Sequence, residues 1–328
     1  MESNSSTKNA AASGVDPDVA RFVSAIAAEM SSHPDLYDMP VERARAICAR
    51  ARAPWVEGGP VMAESIDAEA PGRSGPVRVR VHRPSSEDDL PALVYMHGGG
   101  WTFFNIDTHD RLMREYAARA GIAVMGVDYA LSPEAKYPRA LHQVLDVTEW
   151  LAASAERFGI DGGRLALGGD SAGANLAVAS SLALRDTGRP GLVRALLLNY
   201  GAFATRWSKE SERRYGGKGY MLGAEEMRWF WNNYVSGPGE FSDPLVCPLL
   251  ADVEALPPAF FTIPECDILT AQNHAMAEKM WGAGVQVRAR EYPGATHSFL
   301  EAMSIAEISN RALDEACDWL RGVLGRLA

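Results

Sequence analysis

Five short apolar runs, at 92–96, 122–127, 165–167, 195–198 and 259–263, recur along the chain with helix-patterned stretches between them. A strand that is apolar at every position has both faces covered, which is the condition of a strand inside a parallel sheet. The stretches 108–120, 138–158 and 172–185 repeat their apolar residues at helical spacing. Strand and helix in alternation predict a doubly wound, mostly parallel α/β sheet. Ahead of these runs Val77, Val79 and Val81 alternate with Arg78, Arg80 and His82, the period of a half-buried strand. Residues 285–287 add one more strand, and 305–324 form a closing amphipathic helix. At the start, Asp16 and Pro17 supply an N-cap and first turn for a helix over 17–30. A second helix is expected over 40–47, and 54–75 reads as loop or edge strand.

The chain has 328 residues, 47% of them hydrophobic, enough for one large α/β domain with a smaller appendage. Its formal net charge of -10 excludes nucleic acid as a partner, since a polyanion would be repelled. No segment approaches the ~18 uninterrupted apolar residues of a membrane span. The four cysteines, Cys48, Cys247, Cys266 and Cys317, are scattered, without a Cys-x-x-Cys pair or a histidine at metal-ligand spacing. They read as free or buried thiols rather than a disulfide framework or metal site. Residues 1–14, rich in Ser, Asn and Ala, lack the basic start and apolar centre of a secretion signal and read as a flexible tail. A cytoplasmic enzyme is the expectation, and a homodimer is compatible with the sequence. Between 202 and 241 the alternation stops, and Trp207, Tyr215, Tyr220, Met221, Met227, Trp229, Phe230, Trp231 and Tyr234 crowd together. Because sites in open α/β folds lie outside the carboxyl ends of the strands, this insertion is expected to roof a pocket.

The chemistry centres on Gly169-Asp170-Ser171-Ala172-Gly173, between the apolar run 165–167 and a small-residue helix. A Gly-x-Ser-x-Gly at a strand-to-helix turn is the nucleophile elbow, tight enough that side chains flanking the serine are excluded. Upstream, His97-Gly98-Gly99-Gly100-Trp101 closes the run 92–96. Glycine amides there, with that of Ala172, would hold a developing oxyanion. No Gly-Lys-Ser/Thr follows, which argues against a phosphate loop. A serine hydroxyl needs a base. Of the seven histidines, His297 follows the last strand and fits the order Ser, acid, His, whereas His97 and His274 read as structural. Glu265 and Asp267 both follow the run 259–263, and Asp267 is the preferred orienting acid, Glu265 its rival.

Together HGGGW (97–101), DYALSPEAKYP (128–138), GDSAGANLA (169–177), Asp267 to Leu269 and His297 to Phe299 resemble the hormone-sensitive-lipase family of α/β-hydrolase esterases, particularly its bacterial acetyl-esterase-like branch. The resemblance implies an eight-stranded core over 61–202 and 241–328. It implies a cap from the tail and N-terminal helices (1–60) and the insertion (203–240). It implies a triad of Ser171, Asp267 and His297, and an oxyanion hole of Gly98, Gly99, Gly100 and Ala172, with Gly98 contributing to the loop. No cofactor is implied, and the partner is a small ester, of short acyl chain. Asp170 and Glu134 match supporting positions. The chain departs from many relatives at Ala130, where they carry Arg, so that an ion pair to Glu134 is lost or re-made. It departs again at Ile268, where Pro is common, and over 270–273, which lack the usual acidic residue. An amide, carbamate or lactone hydrolase would use the same groups. A ligand-binding protein that has lost activity is the reading from another class, and the presence of His297 opposes it.

Overall fold

In the computed structural model, residues 14–325 are described. The expected tail therefore falls almost wholly outside the described residues. Two helices open the chain, α1 (Pro17–Ser31) and α2 (Val41–Val56). Asp16 caps α1 by accepting from the amides of Asp18 and Val19 at 2.9 and 3.1 Å. The second helix runs a further two turns past the expected 40–47, and Pro54 sits inside its last turn. Packing extends it: Ala51 and Arg52 are buried, and Trp55 meets Phe22 of α1 edge to face at 4.7 Å.

The strands are β1 (Glu64–Ala70), β2 (Val77–Arg83), β3 (Leu90–Met96), β4 (Ala123–Val127), β5 (Ile160–Asp170), β6 (Ala195–Asn199), β7 (Ala259–Cys266) and β8 (Val287–Thr296). Among the described residues they form one eight-stranded sheet in the order β1-β2-β4-β3-β5-β6-β7-β8. β1 and β2 are antiparallel, and the pairs from β4 to β8 are parallel. Helices α3 (Asp110–Ala120), α4 (Arg139–Ser154), α5 (Ala172–Asp186), α8 (Thr270–Gly282) and α9 (Glu307–Leu324) cover the two faces, and α6 (Lys209–Tyr215) and α7 (Ala224–Tyr234) belong to the insertion. The pleat of β3 divides the core: Ala92, Val94 and Met96 join one buried cluster, while Leu93 and Tyr95 join the other. Burying Leu93, Val94 and Met96 contributes roughly 1.5–3 kcal/mol each.

The segment 54–75 holds the edge strand β1, whose polar outer face pairs Asp67 with Arg80 at 2.7 Å. β8 begins where the expected 285–287 ends, sharing only Val287 with it, because its first half is exposed and charged, with Arg288, Arg290 and Glu291, which hides a solvent-facing edge strand from an apolar search. β5 begins earlier than 165–167, at Ile160, and passes through Gly162 and Gly163.

Candidate active site

The β5–α5 turn presents Ser171 at φ 53°, ψ −113°, outside the regions a serine normally occupies. The turn is closed around it: the Ser171 amide donates to Asn199 O at 2.9 Å, and its carbonyl accepts from Ala202 N at 3.2 Å. A Cβ on Gly169 would meet Met96 O at 2.2 Å, and one on Gly173 would meet it at 1.9 Å. The glycines are therefore required by the close passage of β3. This strain aims Oγ out of the sheet toward β8.

His297 lies just past β8. Its Nε2 is 2.9 Å from Ser171 Oγ and its Nδ1 is 2.6 Å from Asp267 Oδ2. The Asp267 side chain is fully buried, and its Oδ1 accepts from the Leu269 amide at 2.9 Å. With both carboxylate oxygens engaged, Asp267 is fixed and holds the imidazole with Nδ1–H toward it, leaving Nε2 to face the hydroxyl. The ring of Tyr200 packs edge-on against His297 at 5.0 Å. Glu265 instead accepts from the Gly294 amide at 2.9 Å and holds the end of β8. His274 is half-buried and pairs with Glu291.

The glycine loop is oriented peptide by peptide. A peptide is planar with its C=O and N–H opposed, so tying a carbonyl aims the next amide. His97 Nδ1–H donates to Gly98 O at 2.7 Å, which fixes the Gly99 amide. Burial drives the His97 pKa down to about 3, so the ring is neutral. Gly99 O accepts from the amides of Thr102 and Phe103 at 3.0 and 2.8 Å, which fixes the Gly100 amide. Among the described residues the Gly99 and Gly100 amides have no acceptor, and Ala172 N–H, first in α5, has none within its helix. Gly98 is a correction to the sequence reading. Its amide donates to Asp170 Oδ1 at 3.0 Å, so it shapes the loop and is not free to bind an oxyanion.

Asp170 also accepts from Tyr95 Oη at 2.8 Å and faces His109 Nε2 at 3.5 Å. Burial favours its neutral form, but His109 and the Tyr95 hydroxyl outweigh it and hold the carboxyl below its ordinary range. His109 is held above its ordinary range, since Asp170 outweighs the burial that opposes its charge. Nothing in the sequence pattern marked His109.

A cavity of ≈ 60 Å³ opens on Ser171 and His297. Its walls include Ile26 and Met30 of α1, Arg52 of α2, and Met221, Leu222, Glu226 and Phe230 of the insertion. From the insertion, α7 and the turn before it contribute to these walls; Trp231 and Tyr234 of α7 pack on Trp101 of the glycine loop at 4.5 and 4.2 Å. Trp207, Tyr215 and Tyr220 are not among the lining residues. Two arginines on α2 had no sequence signal. Arg52, between the rings of Phe22 and Phe104, meets Glu301 at 2.9 Å, and both side chains are buried. Burial raises the Glu301 carboxyl above its usual range although Arg52 opposes it. Arg45 grips Glu134 bidentately at 2.8 and 2.7 Å, so the partner missing at Ala130 is supplied from α2.

An alpha/beta hydrolase fold family matches residues 93–301 of the chain. The chain is 38% identical over 242 residues to an ethyl acetate hydrolase of Pseudomonas putida, spanning 72% of this chain and 75% of that protein. It is 32% identical over 280 residues to an acetyl esterase of Salmonella agona, spanning 85% and 86% of the two chains. The solved structure of a hyperthermophilic esterase from Pyrobaculum calidifontis superposes with a TM-score of 0.89 at 32% identity, over 94% of this chain and 98% of that one. The chain belongs to the α/β-hydrolase fold family, among its hormone-sensitive-lipase-like serine carboxylesterases.

Proposed function

We propose that the chain hydrolyses esters of short acyl groups, acetate foremost, through an acyl-enzyme on Ser171. The observation that carries this is the unbroken line from Asp267 through His297 to Ser171, opening on a cavity of ≈ 60 Å³. That volume is space for about four waters, which suits an acetyl or propionyl group. Phe230 closes the end over Gly100: a Cβ on that glycine would meet its ring at 2.2 Å. The relatives named as ethyl acetate hydrolase and acetyl esterase support the same chain length.

In this mechanism His297 Nε2 takes the Ser171 proton as Oγ attacks the ester carbonyl. The amides of Gly99, Gly100 and Ala172 hold the oxyanion; removing one such donor typically costs on the order of 10²–10³ in kcat. His297 returns the proton to the departing alcohol, and a water activated by the same ring releases the acid. The helices α1 and α2 and the insertion act as the cap over a core built on the sheet. All four cysteines are unpaired and buried, which supports a reducing, cytoplasmic setting. Among the described residues no helix is long and apolar enough to cross a membrane. The test is a p-nitrophenyl ester series from acetate to palmitate, with matched amides and lactones. Rates should peak at acetate to butyrate; a maximum at long chains, or on amides or lactones, overturns the short-acyl ester reading.

A further inference from the structure

Arg45 lies on the cap helix α2, yet its guanidinium is spent on the loop that carries the oxyanion amides. Its Nε donates to Thr102 O at 2.8 Å and its Nη2 to Ser132 O at 2.8 Å, while Nη1 and Nη2 grip Glu134. Thr102 and Ser132 are fully buried, and among the described residues no other donor reaches either carbonyl. Glu134 is 52% exposed on its side chain, so its ion pair contributes little and serves to set the angle of the guanidinium. The two carbonyls are the partners that matter, because a buried carbonyl left without a donor is costly.

We infer that Arg45 is a positioning residue for the oxyanion hole, supplied by the cap rather than by the core. The path runs through planar peptides. Holding Thr102 O aims the Phe103 amide, which donates to Gly99 O at 2.8 Å. Holding Gly99 O fixes the direction of the Gly100 amide, one of the donors proposed for the oxyanion. Two further bonds stiffen the same turn: Thr102 Oγ1 donates to Gly100 O at 3.1 Å, and the Ser132 amide donates to Trp101 O at 2.7 Å. Through Ser132 the second arm of Arg45 braces that last contact from outside. The cap helix thereby sets the donors for the transition state as well as covering the substrate. This rests on the esterase reading of Ser171.

The experiment compares wild type with Arg45→Ala, Arg45→Lys and Glu134→Ala, reading p-nitrophenyl acetate kinetics. It also reads inhibition by a small trifluoromethyl ketone, which adds to Ser171 and places an oxyanion in the same hole. Arg45→Ala should lower kcat by about 10- to 100-fold, as expected for a small displacement of a transition-state donor. KM should stay within about threefold, and ketone inhibition should weaken by the same factor as kcat/KM. Arg45→Lys, which still reaches one carbonyl, should recover part of the loss, and Glu134→Ala should cost less than Arg45→Ala. If Arg45→Ala does not fold, Arg45→Gln is read in the same way. Rates within about twofold of wild type, or a rate loss with unaltered ketone affinity, overturn the inference. A wild-type enzyme that neither turns over acetate nor binds the ketone overturns the esterase reading itself.

Discussion

Asp267 and Glu265 stand two residues apart at the end of β7, and only Asp267 reaches His297, at 2.6 Å. Glu265 is turned the other way, onto the Gly294 amide. Asp267→Asn should therefore lower kcat by roughly 10³–10⁴-fold with the fold intact, since it favours the wrong tautomer of His297. Glu265→Gln keeps an acceptor for Gly294 and should change kcat by less than about threefold; steady-state kinetics beside thermal melts check both. Ser171, His297 and the glycine loop were legible in the sequence because each needs a particular residue type at a particular place in the chain. Gly98 was legible only as part of that loop, because its neighbours look the same from sequence and only geometry shows whose amide is occupied. His109 and Arg45 left no trace, since the contacts that give them a place at the site, Asp170 for His109 and Thr102 for Arg45, lie 61 and 57 positions away along the chain.

At the scale of elements, α7 is the piece that sets the size of the cavity. Phe230 lies over Gly100 and meets Phe103 edge-on at 5.4 Å. Phe230→Ala should enlarge the acyl end and raise the hexanoate-to-acetate rate ratio about tenfold, at a stability cost of roughly 3 kcal/mol. An ester series and urea unfolding measure the two effects; an unchanged ratio would place the acyl group elsewhere. The clustered aromatics of 202–241 announced a roof, but not which of them face the substrate. Strands buried on both faces were easy to read, whereas β1 and β8, at the two edges, hide because solvent permits charge on them. The end of α2 was missed for a related reason: Arg52 and Pro54 look like helix-ending residues until Glu301 and the α1 packing are in place.

Across the fold, buried charges tie the glycine loop and the loop that carries His297 to the helices around them. Asp170 and His109 join the nucleophile elbow to the start of α3, and Glu301 and Arg52 join the segment after His297 to α2. The Asp170–His109 pair makes stability depend on pH. A histidine whose pKa is raised by folding contributes fully below its ordinary value of about 6.5 and loses that contribution as pH rises through the raised value. An aspartate whose pKa is lowered contributes above about 3.9 and loses that contribution as pH falls through the lowered value. His109→Gln should therefore destabilise most near pH 5.5, by roughly 3 kcal/mol, and the deficit should narrow toward pH 9. Urea unfolding at the two pH values tests this, and a deficit independent of pH contradicts it. The role of Ser171 is tested by hydrolysis of p-nitrophenyl acetate by wild type and Ser171→Ala, with both proteins shown to be folded. Wild type should turn the ester over readily and the variant should fall to near background; equal rates, or a wild type with none, would refute Ser171 as the nucleophile.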